Sequence, residues 1–344
     1  MNAARWLAVT ACLVLLPAQA GAETTKIVFN IFTPPSHFMW PVMRDYAKQI
    51  SDATQGRVTL EFPAESVAPP PKILDAVKNG SADGGFMFNA FLAPKIQGPM
   101  VGQLPWMVPA DSSGAASVAL WRTYEKFFAG KNEFKGVHLL SLFQWGGAGM
   151  CSVTDTPVTT LDDLKKRKVW ALAGNVATIV KNLGISFVAG PAVRIHEYVS
   201  RNVVDAYTGI TWDSIESFKA APYTKSCLLF DRYMNSANFS LFINDETWAK
   251  LSKADQAAIE KLTGEKMARH VGESFDKSSL EAKANLEKQG VTFAKVEPGL
   301  LAALHKASAP VEAQWIESVK SMGVDGKAAV AYMRSEVDQL VAKK

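Results

Sequence analysis

Strand-like and helix-like segments alternate along this chain, and that rhythm restricts the fold more than any single motif does. KIVFNIF, residues 26–32, is a β-rich run of buried-strand type. Residues 40–53 carry Val42, Met43, Tyr46 and Ile50 on one helical stripe that ends before Gly56. VTLEFP at 58–63 is the next strand, and a helix over 73–78 stops at Asn79-Gly80, a C-cap signal. GGFMFNA at 84–90, a helix over 118–128 and a strand over 137–143 complete the first half. The second half repeats the pattern. Thr160 and Asp163 form an N-terminal capping pair, followed by DDLKKR, the strand KVWAL and a helix over 175–183 that ends at Gly184. A strand over 185–188, a helix over 195–200 and the strand VVDAYTG come next. Such alternation predicts an α/β architecture of parallel sheet covered by helices. Residues 227–230 and 239–243 read as strands that cross between lobes. Ser252 caps a long charged helix from about Lys253 to Lys288, with Gly264 as a point of interruption, and a helical pair from Gly299 onward turns at Gly323.

At 344 residues the chain is long enough for two compact lobes. A hydrophobic content of 48% with 20% charged residues describes a globular protein rather than a disordered one. The net charge of +4 is spread over mixed signs, so a nucleic-acid partner is not expected. Arg5, the short apolar run 6–17 and the small-residue patterns Ala18-Gln19-Ala20 and Ala20-Gly21-Ala22 predict an export signal over residues 1–22. No later stretch reaches eighteen apolar residues, so the exported chain is expected to be periplasmic and not itself membrane-spanning. Cys12 would leave with the signal. Cys151 and Cys227 remain, either as a bridge or as two buried thiols on adjacent strands. Five scattered histidines, no CxxC and no HExxH give no reason to expect a metal or another cofactor. There is no GxSxG elbow, and Asp162-Asp163 sits at a helix start where the dipole accounts for it, so catalysis is not expected.

The segment from Thr156 to Trp212 carries the most specific signal. Pro157-Val158, then Asp163-Leu164-Lys165-Lys166-Arg167-Lys168-Val169-Trp170, then Asn202-Val203-Val204-Asp205-Ala206 follow in order, with Ile243-Asn244 through Trp248, Leu251 and Gln256 further on. VGQLPWM at 101–107 and EFPAESVAPP at 61–70 add two weaker matches. In order and spacing these segments resemble the solute-binding proteins of TRAP transporters, of the DctP type. The resemblance implies two α/β lobes joined by crossing strands and a long connecting helix, with one small-molecule solute held in the cleft. It implies lobe I from residues 23–145 plus about 232–275, and lobe II from 146–231 plus about 276–344. It also implies closure around the solute and recognition of the closed form by small and large TRAP membrane subunits. A ligand-sensing partner of a membrane sensor kinase would use the same closure.

One departure from the family pattern bears on the ligand. Most members place after K-(I/V) an arginine that grips a carboxylate; here that position is Trp170. Met150 stands where a second basic residue is common, and Gly209 where an Asn often follows the VDG strand. The candidate pocket residues are Phe38, Trp40, Glu65, Asn89, Trp145, Met150, Trp170, Tyr207, Trp212 and Asp213. Three ligand classes follow: an amine caged by aromatic faces and countered by Glu65 or Asp213, a neutral or aromatic solute stacked on indoles, or a carboxylate held by another basic group such as Arg194. If Trp170 touches the solute, Trp170→Ala abolishes binding in a folded protein.

Overall fold

The computed structural model describes residues 24–93, 95–147 and 149–343; the expected export signal lies outside them. The elements, in order, are β1 Thr25–Asn30, α1 Met39–Ala53, β2 Val58–Glu61, α2 Ile73–Lys78, β3 Gly84–Phe88, α3 Ser113–Phe127, β4 Val137–Trp145 and β5 Met150–Ser152. Then come α4 Leu161–Lys165, β6 Val169–Leu172, α5 Asn175–Asn182, β7 Phe187–Gly190, α6 Ile195–Val199, β8 Ala206–Thr208 and α7 Trp212–Ser217. The chain ends with β9 Ser226–Leu229, β10 Ala237–Asn244, α8 Asp245–Lys250, α9 Lys253–Glu260, α10 Gly264–Lys288, β11 Thr292–Lys295, α11 Pro298–Val319 and α12 Gly326–Val341.

Two sheets result. The first has the order β2-β1-β3-β10-β4 and the second β11-β9-β5-β8-β6-β7. The expectation of purely parallel sheet needs one correction in each. β10 runs antiparallel to both β3 and β4, and β5 runs antiparallel to both β8 and β9. These are the strands that enter from the other lobe. The chain leaves β4 through 146–149 into β5 and returns from β9 through 230–236 into β10, and each arrival comes from the cleft side. A strand that starts at the cleft must run against neighbours that end there. The two connections lie close together: a Cβ on Gly147 would fall 2.1 Å from Tyr233 Cβ, so only glycine fits.

Local signals hold where partners are local. Thr160 and Asp163 form the reciprocal capping box, and Ser252 accepts from the Asp255 amide. The long helix is broken at Gly264, where φ is +57° and a Cβ would lie 3.2 Å from the Trp121 ring. The start of α3 is different. It begins at Ser113, five residues before the expected start, because Asp276 of α10 accepts the Ser113 and Gly114 amides from 163 and 162 residues away.

α10 packs against α3 and β4 beside the first sheet and against α7 beside the second, so it spans both lobes. α11 packs against α5, while α12, which the sequence groups with the second lobe, packs against α3. Cys151 and Cys227 are register partners on β5 and β9 and are joined by a disulfide.

Candidate functional site

A cavity lies between the two sheets, at the carboxyl ends of their parallel strands. Phe32 and Thr33 follow β1, Phe88 ends β3 and Trp145 ends β4. Ala237 and Phe239 sit at the opposite, starting end of the reversed β10. From the second lobe come Leu172 at the end of β6, Pro191 to Val193 after β7, Gly209 to Thr211 after β8, and Ser214 and Phe218 of the α7 segment. Open α/β sheets place ligands at this end because the strands stop there and the loops diverge. Gly209 has φ +95°, and a Cβ there would fall 2.5 Å from Leu172 Cβ; glycine lets the two wall segments meet.

Six aromatic rings line the cavity: Phe32, Phe88, Phe91, Trp145, Phe218 and Phe239. Four of them pack together, with Trp145 and Phe239 centroids 3.7 Å apart, Phe88 and Phe239 5.5 Å apart and Phe88 and Phe91 edge to face at 5.2 Å. Among the described residues no lysine, arginine, aspartate or glutamate forms part of this wall. Polar atoms are few. Thr33 Oγ1 and Trp145 Nε1 are buried without any hydrogen-bond partner, and Thr211 donates to Ser214 Oγ at 2.8 Å. An indole N–H left unpaired in an apolar wall costs on the order of 1–3 kcal/mol unless something arrives to accept it. The empty space, open mouth included, is about 520 Å³. Through Phe32, Thr33, Val193 and Phe218 it adjoins a wider outer recess that also holds Trp40, Glu65, His196 and Lys219.

Behind the wall sits a buried ionisable pair that joins the lobes. His37, just before α1, has Nε2 3.4 Å from Asp213 Oδ2 at the start of α7. Both side chains are almost wholly enclosed. Met39 N–H donates to His37 Nδ1 at 3.3 Å, which leaves the ring proton on Nε2, facing the carboxylate. Burial lowers His37 to about 3 and raises Asp213 to about 6, the latter partly offset by hydrogen bonds from Thr211 and Ser214. At neutral pH the contact is therefore neutral imidazole against carboxylate rather than a salt bridge. Asp213 Oδ1 has no partner. The His37 ring lies 5.2 Å from Trp145 and stacks on Phe218 at 5.7 Å, both of which are cavity walls.

The residues expected from the sequence fall into four groups. Trp145 lines the cavity. Trp40 and Glu65 line the outer recess, where Trp40 Nε1 donates to Thr33 O at 2.9 Å. Phe38 and Asp213 lie against the wall: Phe38 meets Trp145 edge-on at 5.2 Å, and Asp213 precedes the lining residue Ser214. The remaining five are elsewhere. Asn89 belongs to a buried amide network, donating to Asn238 and accepting from Ser240. Met150 lines a separate cavity beside Cys227. Tyr207 is fully buried with its hydroxyl 2.7 Å from Thr224 Oγ1, and Trp212 packs edge-on against Phe293. Trp170 is fully buried in the second lobe, its strand partners Val188 and Tyr207. It shares a strand face with the wall residue Leu172 but sits two residues earlier, about 6.6 Å deeper. Arg194, offered as an alternative carboxylate anchor, is exposed and paired with Glu197 at 2.6 Å.

Phe32, Thr33, Phe88, Thr211, Ser214 and Phe218 were not among the expected residues. The signal that would have found them is positional: each lies at or just past the cleft end of a strand, or on the segment that follows it.

Comparison with known proteins bears on what such a cavity serves. The family model described as bacterial extracellular solute-binding protein, family 7 (DctP), matches residues 29–318. Outer membrane transporter protein TsaT of Comamonas testosteroni is 29% identical over 337 residues, 98% of each chain. A TRAP periplasmic solute-binding protein from Bordetella bronchiseptica, solved with bound (R)- and (S)-mandelate, superposes with a TM-score of 0.86 at 29% identity, covering 92% of this chain and 99% of that one. A TRAP solute-binding protein from Rhodoferax ferrireducens with copurified benzoate gives 0.83 at 22% identity, covering 93% and 99%.

Proposed function

This chain belongs to the family-7 bacterial extracellular solute-binding proteins and is a TRAP solute receptor, and we propose that its solute is a small aromatic acid with a single ring. The observation that carries this reading is the cavity wall itself: among the described residues it has six aromatic rings, no charged side chain, and two buried donors without partners, Thr33 Oγ1 and Trp145 Nε1. The rings would hold an arene by stacking and edge contacts. The unpartnered donors, with the hydroxyls of Thr211 and Ser214, would meet its acidic end. The mandelate-bound relative, 29% identical over nearly its whole length, holds a solute of this class.

Size favours a small solute. Cavities of roughly 150 Å³ accept benzene, and the enclosed part of this one is smaller, so even a single ring requires the lobes or side chains to give way. The amine reading has less support. Glu65 lines only the outer recess, and Asp213 faces His37, so no carboxylate of the wall is available to a cation. A four-carbon dicarboxylate would bring two charges to a wall with no cation, at a steep desolvation cost.

In this reading residues 1–22 direct export. The receptor binds and releases its solute unchanged, and hands it to the small and large membrane subunits. The test is a thermal-shift screen of the chain from Glu23 onward. Benzoate, hydroxybenzoates and mandelate at about one hundred times Kd should raise Tm by roughly 5 °C. Succinate, naphthoate and aliphatic amines should not. Stabilisation by succinate or an amine, with none from the one-ring acids, would sink the proposal. A shift with benzyl alcohol alone would favour a neutral aromatic solute.

A further inference from the structure

Among the described residues the wall offers an entering anion no fixed positive charge. Directly behind the wall lie His37 and Asp213, one from each lobe, 3.4 Å apart, with the His37 ring against the wall rings Trp145 and Phe218 and Asp213 next to the wall residue Ser214. With neutral imidazole and ionised carboxylate, the pair already carries one negative charge. Binding an acid anion would place two negative charges in one desolvated region.

We propose that this is relieved by proton uptake: one proton passes from solvent to the unpartnered Oδ1 of Asp213 as the aromatic acid binds, and the acid itself stays ionised. The inference rests on the aromatic-acid reading above. The proton goes to Asp213 and not to the imidazole, because His37 Nδ1 is occupied by the Met39 amide and Nε2 already carries hydrogen. Nothing is oxidised or reduced, and no covalent bond other than O–H forms. Burial has already raised Asp213 to about 6, so the group is poised near neutrality before the solute arrives.

Other charged groups around the pair are engaged elsewhere. Asp276 of α10 accepts the Ser113 and Gly114 amides. Glu216 on α7 accepts from Gln289, and Lys277 and Glu281 of α10 line a different recess with Asp45 and His270. Arg44 of α1 lies over the Trp40 ring, and Glu65 and Lys219 line the outer recess. Among the described residues none of these is ion-paired with His37 or Asp213. At a separation of ~8 Å and an effective dielectric of ~20, one added negative charge raises a carboxyl's proton affinity about thirtyfold.

The experiment is calorimetry of the exported chain with (R)-mandelate in phosphate and in Tris, buffers of different ionisation enthalpy, across pH 6 to 8. The expected result is uptake of about 0.7 proton per mandelate at pH 7 and a Kd that weakens about tenfold from pH 6 to pH 8. Benzyl alcohol, if it binds, should show no uptake. Asp213→Asn should bind mandelate with a Kd that is flat in pH, without proton uptake, and more tightly than the parent at pH 8. Should that variant fail to fold, the two-buffer comparison on the parent decides alone. Mandelate binding with no proton uptake and a flat Kd would overturn this proposal and leave the aromatic-acid reading standing. Uptake that persists in Asp213→Asn would overturn the assignment to Asp213. No binding of mandelate or benzoate at any pH would overturn both readings together.

Discussion

Among the described residues Trp170 is the largest fully buried side chain, and its indole N–H has no hydrogen-bond partner there. Removing it leaves a hole in the second lobe's core rather than a gap in the cavity wall. Trp170→Ala should cost about 3–5 kcal/mol of stability, read from urea unfolding. Trp170→Phe should cost less and leave mandelate affinity within about threefold. A Trp170→Phe protein that keeps its stability and loses binding would restore the indole to the site. The sequence reveals the missing arginine at this position but not the depth at which the side chain lies. Strand alternation puts Trp170 on the same face as Leu172. Whether a side chain touches solute depends on how far along the strand the cavity begins, and that is set by the other lobe. Trp145 was legible because it closes a strand at the crossing between lobes. Thr33 and Ser214 were not, because a hydroxyl gains meaning here only from the six rings around it.

At the level of elements, most of the alternation is readable and the strand directions are not. β5 and β10 carry ordinary strand sequences, and nothing in MCS or ANFSLFIN states that they run against their neighbours. Their direction follows from the side of the sheet at which the chain arrives. The early start of α3 is hidden for a similar reason, since its amides are satisfied by Asp276 from another helix. β5 and β9 hold a more direct test. Their disulfide closes a loop with a sequence separation of 76 residues, and such a crosslink stabilises by about 2–5 kcal/mol. The Cys151→Ser, Cys227→Ser double variant should show a lowered Tm that no longer responds to reductant, while mandelate binding persists well below that Tm. Equal stability of parent and variant would mean the bridge constrains little.

Across the whole molecule, the two lobes, their crossings and the cleft were all implied by the resemblance; the chemistry of the cleft was not. The boundary between the lobes brings together groups far apart in sequence. Asn175 Nδ2 of the second lobe donates to Gln103 O of the first at 3.0 Å, and His37 meets Asp213 across the same boundary. Parting of the lobes would break each contact, and a solute that bridged them would favour the joined form by what it adds to these contacts.

Among the described residues no lysine or arginine stands in the cavity wall, and this has a consequence for where such a receptor can operate. Receptors that grip an anion through exposed cations lose attraction as dissolved ions screen them, over a Debye length of about 10 Å at 0.1 M and about 3 Å at 1 M. In the aromatic-acid reading proposed above, the attraction would come from ring faces and enclosed dipoles, which ions do not reach. The mandelate association rate and affinity should therefore change less than about twofold between 10 mM and 500 mM sodium chloride, measured by stopped-flow tryptophan fluorescence. A steep fall would place a cation on the approach path. A flat response would mean that the receptor loads equally well in dilute and in saline surroundings.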